Sequence, residues 1–91
     1  MKRYKVKYRK LGREFAFGLS HTENDLIELD ERIKGKKHLE VLVHECLHLL
    51  YPHLEEDEVI RDSIRIIKTL WGEGYRRTEQ GSSHELQTPF E

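Results

Sequence analysis

The stretch Leu39-Glu40-Val41-Leu42-Val43-His44-Glu45-Cys46-Leu47-His48-Leu49-Leu50 does most to limit how this chain can fold. At helical spacing its apolar side chains run almost round the circumference. Leu39, Leu42, Cys46 and Leu49 fall on one side, and Val41 and Leu47 flank the other. A helix apolar nearly all round has to be covered from more than one direction. The same stretch carries two imidazoles and a carboxylate, which are therefore not part of a solvated face. A buried carboxylate is costly unless it is paired or held by a cation. The fold must wrap this helix and also satisfy His44, Glu45 and His48.

There is little chain to do it with. Ninety-one residues make one domain, and a chain of that size buries only about 60–65% of the surface its unfolded form exposes. Hydrophobic and charged residues each make up 36%, against a usual charged share of about 25%. Sixteen Lys and Arg nearly cancel seventeen Asp and Glu, so the balance gives no sign of a whole-molecule polyanion binder. The single cysteine, Cys46, excludes an internal disulfide and a cysteine-only metal site. No apolar run approaches a membrane span, and the basic first residues lack the apolar stretch of a signal peptide, so a cytoplasmic protein with no membrane partner is expected. Domains this small commonly need a staple, and a bound metal is one form of it.

The charge is unevenly placed. Residues 1–13 hold seven basic groups and no acid, and the rest of the chain nets −8. Tyr4, Val6 and Tyr8 alternate with Arg3, Lys5, Lys7 and Arg9, a period of two that predicts a strand with one aromatic and one cationic face. Leu11-Gly12-Arg13 reads as a hairpin turn. Phe15, Phe17 and Leu19 then alternate with Glu14, Ala16 and Gly18 in a second strand, and Leu26–Leu29 forms a short third. Lys34-Gly35-Lys36-Lys37 marks a break. A first helix is expected over 37–50, ended by Pro52. A second runs from about Glu55 to Trp71, its acidic start suited to the positive end of the helix dipole and Gly72 and Gly74 to its end. The expected fold class is α+β: a small, mostly antiparallel three-stranded sheet packed on two helices. Residues 1–75 form the domain, and 76–91, poor in apolar residues, read as a flexible tail.

The chemistry lies in His44-Glu45-Cys46-Leu47-His48, an H-E-x-x-H on the first helix. Histidines four apart sit about 40° apart around a helix and one turn up, so both rings can reach one ion. The glutamate after the first histidine projects beside that ion, placed to take a proton from a bound water. A catalytic zinc wants a third protein ligand and leaves one position open. His53, Glu55, Glu56, Asp57 and Glu58 are the candidates. The apolar arc of the second helix is Val59, Ile60, Ile64, Ile67, Leu70 and Trp71, with Ser63 inside it. Glu56 falls at the centre of that arc, whereas Glu58 and Asp62 fall on the opposite side. Glu56 is therefore the expected third ligand, with His53 as the alternative. Cys46 lies away from the histidines and reads as a core residue. Tyr51 and Tyr75 read as packing residues near helix ends, and His21, His38 and His84 as surface.

The segment VLVHECLHLLYPHLEEDEV resembles the zinc-dependent metallopeptidases called zincins. Within them it is most similar to small minimal-core members of the gluzincin type and the SprT- or ImmA/IrrE-like intracellular domains. The similarity spans roughly residues 25–71. It implies that His44 and His48 bind zinc, that Glu45 is the general base, and that a glutamate on the next helix completes the site. Gluzincins carry a longer gap before their Glu-x-x-x-Asp motif, whereas Glu58 and Asp62 follow here at very short range. A metzincin-like third histidine would follow after five residues with a glycine at the turn. Here His53 follows after four, with Tyr51-Pro52 between.

HECLHLLYPHLEEDE is also similar to the H-G-x-L-H-L-x-G-x-D-H stretch of YbeY-type endoribonucleases, which carry glycine where this chain has Glu45. Three expectations follow. The first is a minimal zinc metallopeptidase, a hydrolase acting on a peptide or protein substrate. The second is a metal-dependent endoribonuclease using Arg3, Lys5, Lys7 and Arg9 to hold RNA. The third is a non-catalytic binding domain whose zinc serves only folding. Glu45 favours peptide hydrolysis over nucleic-acid cleavage.

Overall fold

The computed structural model describes residues 2–14 and 16–78. Along the chain come β1 (Lys5–Arg9), a 3-10 turn (Gly12–Glu14), β2 (Gly18–His21), β3 (Leu26–Asp30), α1 (Gly35–Leu50) and α2 (Glu56–Gly72). The class is α+β as the patterning implied. Both helices begin and end within two residues of the expected bounds.

The three strands form one mixed sheet in the order β1-β3-β2. β3 pairs parallel with β1 (Val6 opposite Ile27, Tyr8 opposite Leu29) and antiparallel with β2 (Gly18 opposite Leu29, Ser20 opposite Ile27). The hairpin expected at Leu11-Gly12-Arg13 does not form, because β3 lies between β1 and β2. The reason is burial. Ile27 and Leu29 are fully enclosed, each contributing about 1.5–3 kcal/mol by leaving water, and only the central position encloses them from both sides. Leu11, expected in a turn, is itself fully buried, and its N–H donates to Asp30 Oδ2 at 3.1 Å. The chain spends residues 11–14 anchoring there, so β2 starts only at Gly18 and Phe17 is half exposed. Phe15, expected in that strand, lies outside the described residues.

The sheet has two unlike faces. Tyr4, Val6, Ile27 and Leu29 pack with Ile33, Val41, Leu42, Cys46 and Leu49, so this face meets α1. The outer face carries the cations of β1. There Arg9 Nε donates to Glu28 Oε2 at 2.8 Å, and His21 Nε2 lies 3.0 Å from Glu28 Oε1. These partners pull the Glu28 carboxyl down to about 2. Asp30, at the end of β3, is buried and accepts hydrogen bonds from the N–H of Arg32 at 2.9 Å and from its guanidinium at 2.8 and 2.6 Å. These bonds hold its carboxyl well below the usual carboxylate range.

α1 lies between the sheet and α2, which explains its apolar circumference. Gly35, its first residue, has φ +58°, a conformation costly for residues with a Cβ. Two expectations about side chains change here. His38, expected at the surface, is buried against the sheet with Nε2 2.9 Å from Tyr8 Oη. Ile60 and Ile64, expected in the core, are close to half exposed, while Val59, Ser63 and Ile67 take the buried stripe of α2. Past α2 the chain folds back: Arg76 stacks on the Trp71 ring at 3.5 Å and Arg77 lies over Tyr8 at 4.9 Å. Residues 79–91 of the expected tail, His84 among them, lie outside the described residues. Among those that are described, no helix is long and apolar enough to cross a membrane.

Candidate metal centre

The five-residue link Tyr51–Glu55 reverses the chain so that α2 returns along α1. Its first residue then lies beside the last two turns of the helix before it. Pro52 prevents α1 from continuing, and Glu58 Oε1 accepts the N–H of Glu55 at 2.9 Å, fixing the new start. Glu56 is thereby aimed at α1. Its Oε2 lies 3.0 Å from His44 Nε2 and its Oε1 lies 2.9 Å from His48 Nε2. The two Nε2 atoms are 3.1 Å apart.

With Glu56 ionised, hydrogen bonds alone leave this triangle imperfectly satisfied. Each Nε2 carries at most one proton, and the carboxylate oxygens supply none when ionised. If both imidazoles donate to Glu56, two N–H groups face each other at 3.1 Å. If one proton lies between the rings, one ring presents a lone pair to a carboxylate oxygen. With the carboxylate ionised each arrangement leaves a poor contact, whereas one cation between the three donors satisfies all of them. Tetrahedral zinc with ligand bonds of about 2.05 Å needs donors about 3.3–3.4 Å apart, a few tenths of an ångström wider than the 2.9–3.1 Å found here. Two imidazoles and a carboxylate make a donor set that zinc accepts. Among the described residues this is the one group of three or more histidine, cysteine or acidic side chains able to hold an ion together.

Glu45 does not join the triangle. It points from α1 towards β2, where Gly18 makes room: a Cβ there would lie 2.5 Å from Val41 Cγ1 and 3.0 Å from Glu45 Cγ. Ser20, two residues on and on the same face, lies near enough to the Glu45 carboxylate to favour its charged form. Glu45 is only 8% exposed. Burial pushes its carboxyl up, partly offset by the charges of His44 and His48 and by the nearby Ser20. The carboxylate thus sits beside the imidazoles, buried and with an affinity for a proton.

The remaining candidates lie elsewhere. His53, the alternative third ligand, is exposed and stacks edge-on with Tyr51 at 6.4 Å, outside the triangle. Glu55 and Glu58 serve the start of α2. Cys46 packs against the sheet side of α1, where burial raises its thiol, in keeping with a core role. Gly18 and Ser20 are the site residues that sequence reasoning missed. A Gly-x-Ser alternation on a strand otherwise lined by large residues is the signal that marks them.

A cleft of about 540 Å³ opens beside the triangle, with Phe17 and Gly18 on one side, Val41, His44 and Glu45 along its floor, and Ile60 and Ile64 opposite. Asp30 N–H donates to Phe17 O at 2.8 Å. By the alternation of an antiparallel ladder, Gly18 and Ser20 then turn their N–H and C=O groups to the free edge of β2. No described strand pairs with that edge. No protein-family model, curated protein or solved structure matches this chain.

Proposed function

We propose that this protein is a minimal zinc metallopeptidase. The observation that carries the reading is the triangle of His44, His48 and Glu56, with the buried Glu45 beside it at the floor of a cleft. Zinc held there by the two Nε2 atoms and a Glu56 oxygen would polarise a peptide carbonyl and bring the pKa of a coordinated water down toward about 7. Three protein donors leave the fourth position for water or substrate.

Glu45 is the general base. Its carboxylate, already favouring a proton through burial, accepts one from the attacking water and passes it to the leaving amine. Ser20 stands on the neighbouring strand beside Glu45, where it favours the charged carboxylate. The open N–H and C=O groups of Gly18 and Ser20 take the substrate backbone as an added strand, which keeps the scissile bond alongside α1.

The placement of the β1 cations argues against the endoribonuclease reading. Lys5, Lys7 and Arg9 belong to the face of the sheet turned away from α1, and Arg9 is already paired with Glu28. The exposed His53 argues against a closed four-ligand zinc.

Elemental analysis of protein purified without added metal, together with peptide turnover, tests the proposal. Wild type should carry about one zinc per chain, as three-ligand sites do. His48→Ala and Glu56→Ala should lose zinc and turnover together. Glu45→Gln should keep zinc and lose turnover by about 10²–10⁴-fold. Full turnover in Glu45→Gln, or a folded wild type without metal, would sink the reading.

A further inference from the structure

We propose that the cleft selects peptides with acidic side chains about three to five residues to the C-terminal side of the scissile bond; this specificity rests on the peptidase reading above. The cleft is polarised along its length. At one end stand the triangle and Glu45. At the other, its lining includes Lys36 and Lys37 from the first turn of α1 and Lys68 from the last turns of α2. All three lysines are exposed, and none forms an ion pair with a described residue. Lys37 Nζ lies 4.9 Å from the Phe17 ring centroid, which places it over the strand that would hold the substrate. Glu40 is the one acid lining the cleft near that end, so the lysines leave it net positive.

Helix geometry gives the distance. Lys37 precedes His44 by seven residues, about 10 Å of rise, and Lys68 follows Glu56 by twelve, about 18 Å. An extended peptide covers that span in about three to five residues. Direction follows from β2. Phe17 lies by Lys37, Gly18 by Val41 and Glu45, and Ser20 by Glu45, so β2 advances in the same sense as α1. A peptide added antiparallel to β2 runs the other way, and its C-terminal side reaches the lysines. Val41, Ile60, Ile64 and Ile67 give the middle of the cleft an apolar lining suited to side chains. At the triangle end the carboxylates of Glu45 and Glu56 oppose a phosphate backbone, which carries charge along its whole length, whereas the peptide's acidic side chains lie at the lysine end.

The probe is a pair of fluorescein-labelled ten-residue peptides with one shared apolar centre. One has three glutamates at the third to fifth positions after it, the other three glutamines. A third peptide carries the glutamates before the centre, and a ten-nucleotide single-stranded RNA serves as competitor. Anisotropy is read on the zinc-loaded full chain bearing Glu45→Gln, so that binding is seen without cleavage. The glutamate-after peptide should bind about tenfold more tightly than the glutamine one, the sum expected of three exposed ion pairs. The advantage should vanish in Lys36→Gln/Lys37→Gln/Lys68→Gln and shrink in 0.5 M NaCl. Equal affinities, an advantage that survives the triple substitution, preference for the glutamate-before peptide, or stronger competition by RNA would each overturn the assignment. Since the readout is binding, selective capture by a protein that never cuts supports the charge preference and tells against the peptidase reading alone.

Discussion

At the scale of single residues the centre depends as much on what is small as on what is reactive. Gly18 lets α1 come close enough to β2 for Glu45 to reach Ser20. Gly18→Ala should cost about 1–3 kcal/mol, because Val41 and Glu45 must both give way in a packed contact. Urea unfolding measures the loss, and zinc content should be unchanged, since the triangle lies on the other side of Glu45. The histidines and Glu56 were legible in the sequence because helical phase alone converges them. The partner of Glu45 was not. Ser20 approaches from a strand whose start depends on Leu11 being drawn into the core, a contact without local periodicity.

Asp30 and Glu28 belong to the same scale and set the response to acid. Both carboxyls are held below their ordinary range by partners present only in the fold: Arg32 and the N–H of Leu11 for Asp30, Arg9 and His21 for Glu28. Their contribution is complete above the unfolded carboxylate range, near pH 4. It declines as pH falls further, towards about 2 for Glu28. Urea midpoints taken between pH 6 and pH 2 with chelator present should drop most steeply below about pH 4. Asp30→Asn should flatten that drop while lowering the plateau. A midpoint independent of pH below 4 would contradict the assignment.

At the scale of elements, α1 was the easiest part to read and the strand order the hardest. An apolar circumference announces a helix covered on both sides, and sheet and α2 supply the two covers. Nothing in Tyr4–Tyr8 or Leu26–Leu29 says which strand lies between the others. Adjacent strands joined by a short turn usually pair, and that expectation gave the hairpin that is absent. The deciding quantity is how completely each strand can be enclosed. α2 shows the same limit: its phase placed Glu56 at the head of the stripe facing α1, but Ile60 and Ile64, within the expected arc, line a cleft instead of a core.

At the scale of the whole molecule, an ion held by the triangle would stabilise the fold as well as serve the proposed chemistry. α2 packs chiefly on α1, and Glu56 ties the two helices together at the end away from the lysines. A ligand that binds only the folded state at about a hundred times its dissociation constant adds about 2.7 kcal/mol. In a domain of this length, that amounts to about 10–20 °C in melting temperature. Calorimetry with and without a strong chelator should show that difference in wild type and none in Glu56→Ala.

The parallel pairing of β1 with β3 also bears on how the chain is made. β1 leaves the ribosome first, yet its partner is not complete until Asp30, with β2 emerging in between. The first strand must therefore wait unpaired while the β2–β3 hairpin closes, and an unpaired strand is open to mispairing with a neighbouring chain. Lys5, Lys7 and Arg9 alternate along it. Their mutual repulsion keeps nascent copies from zipping together until β3 arrives.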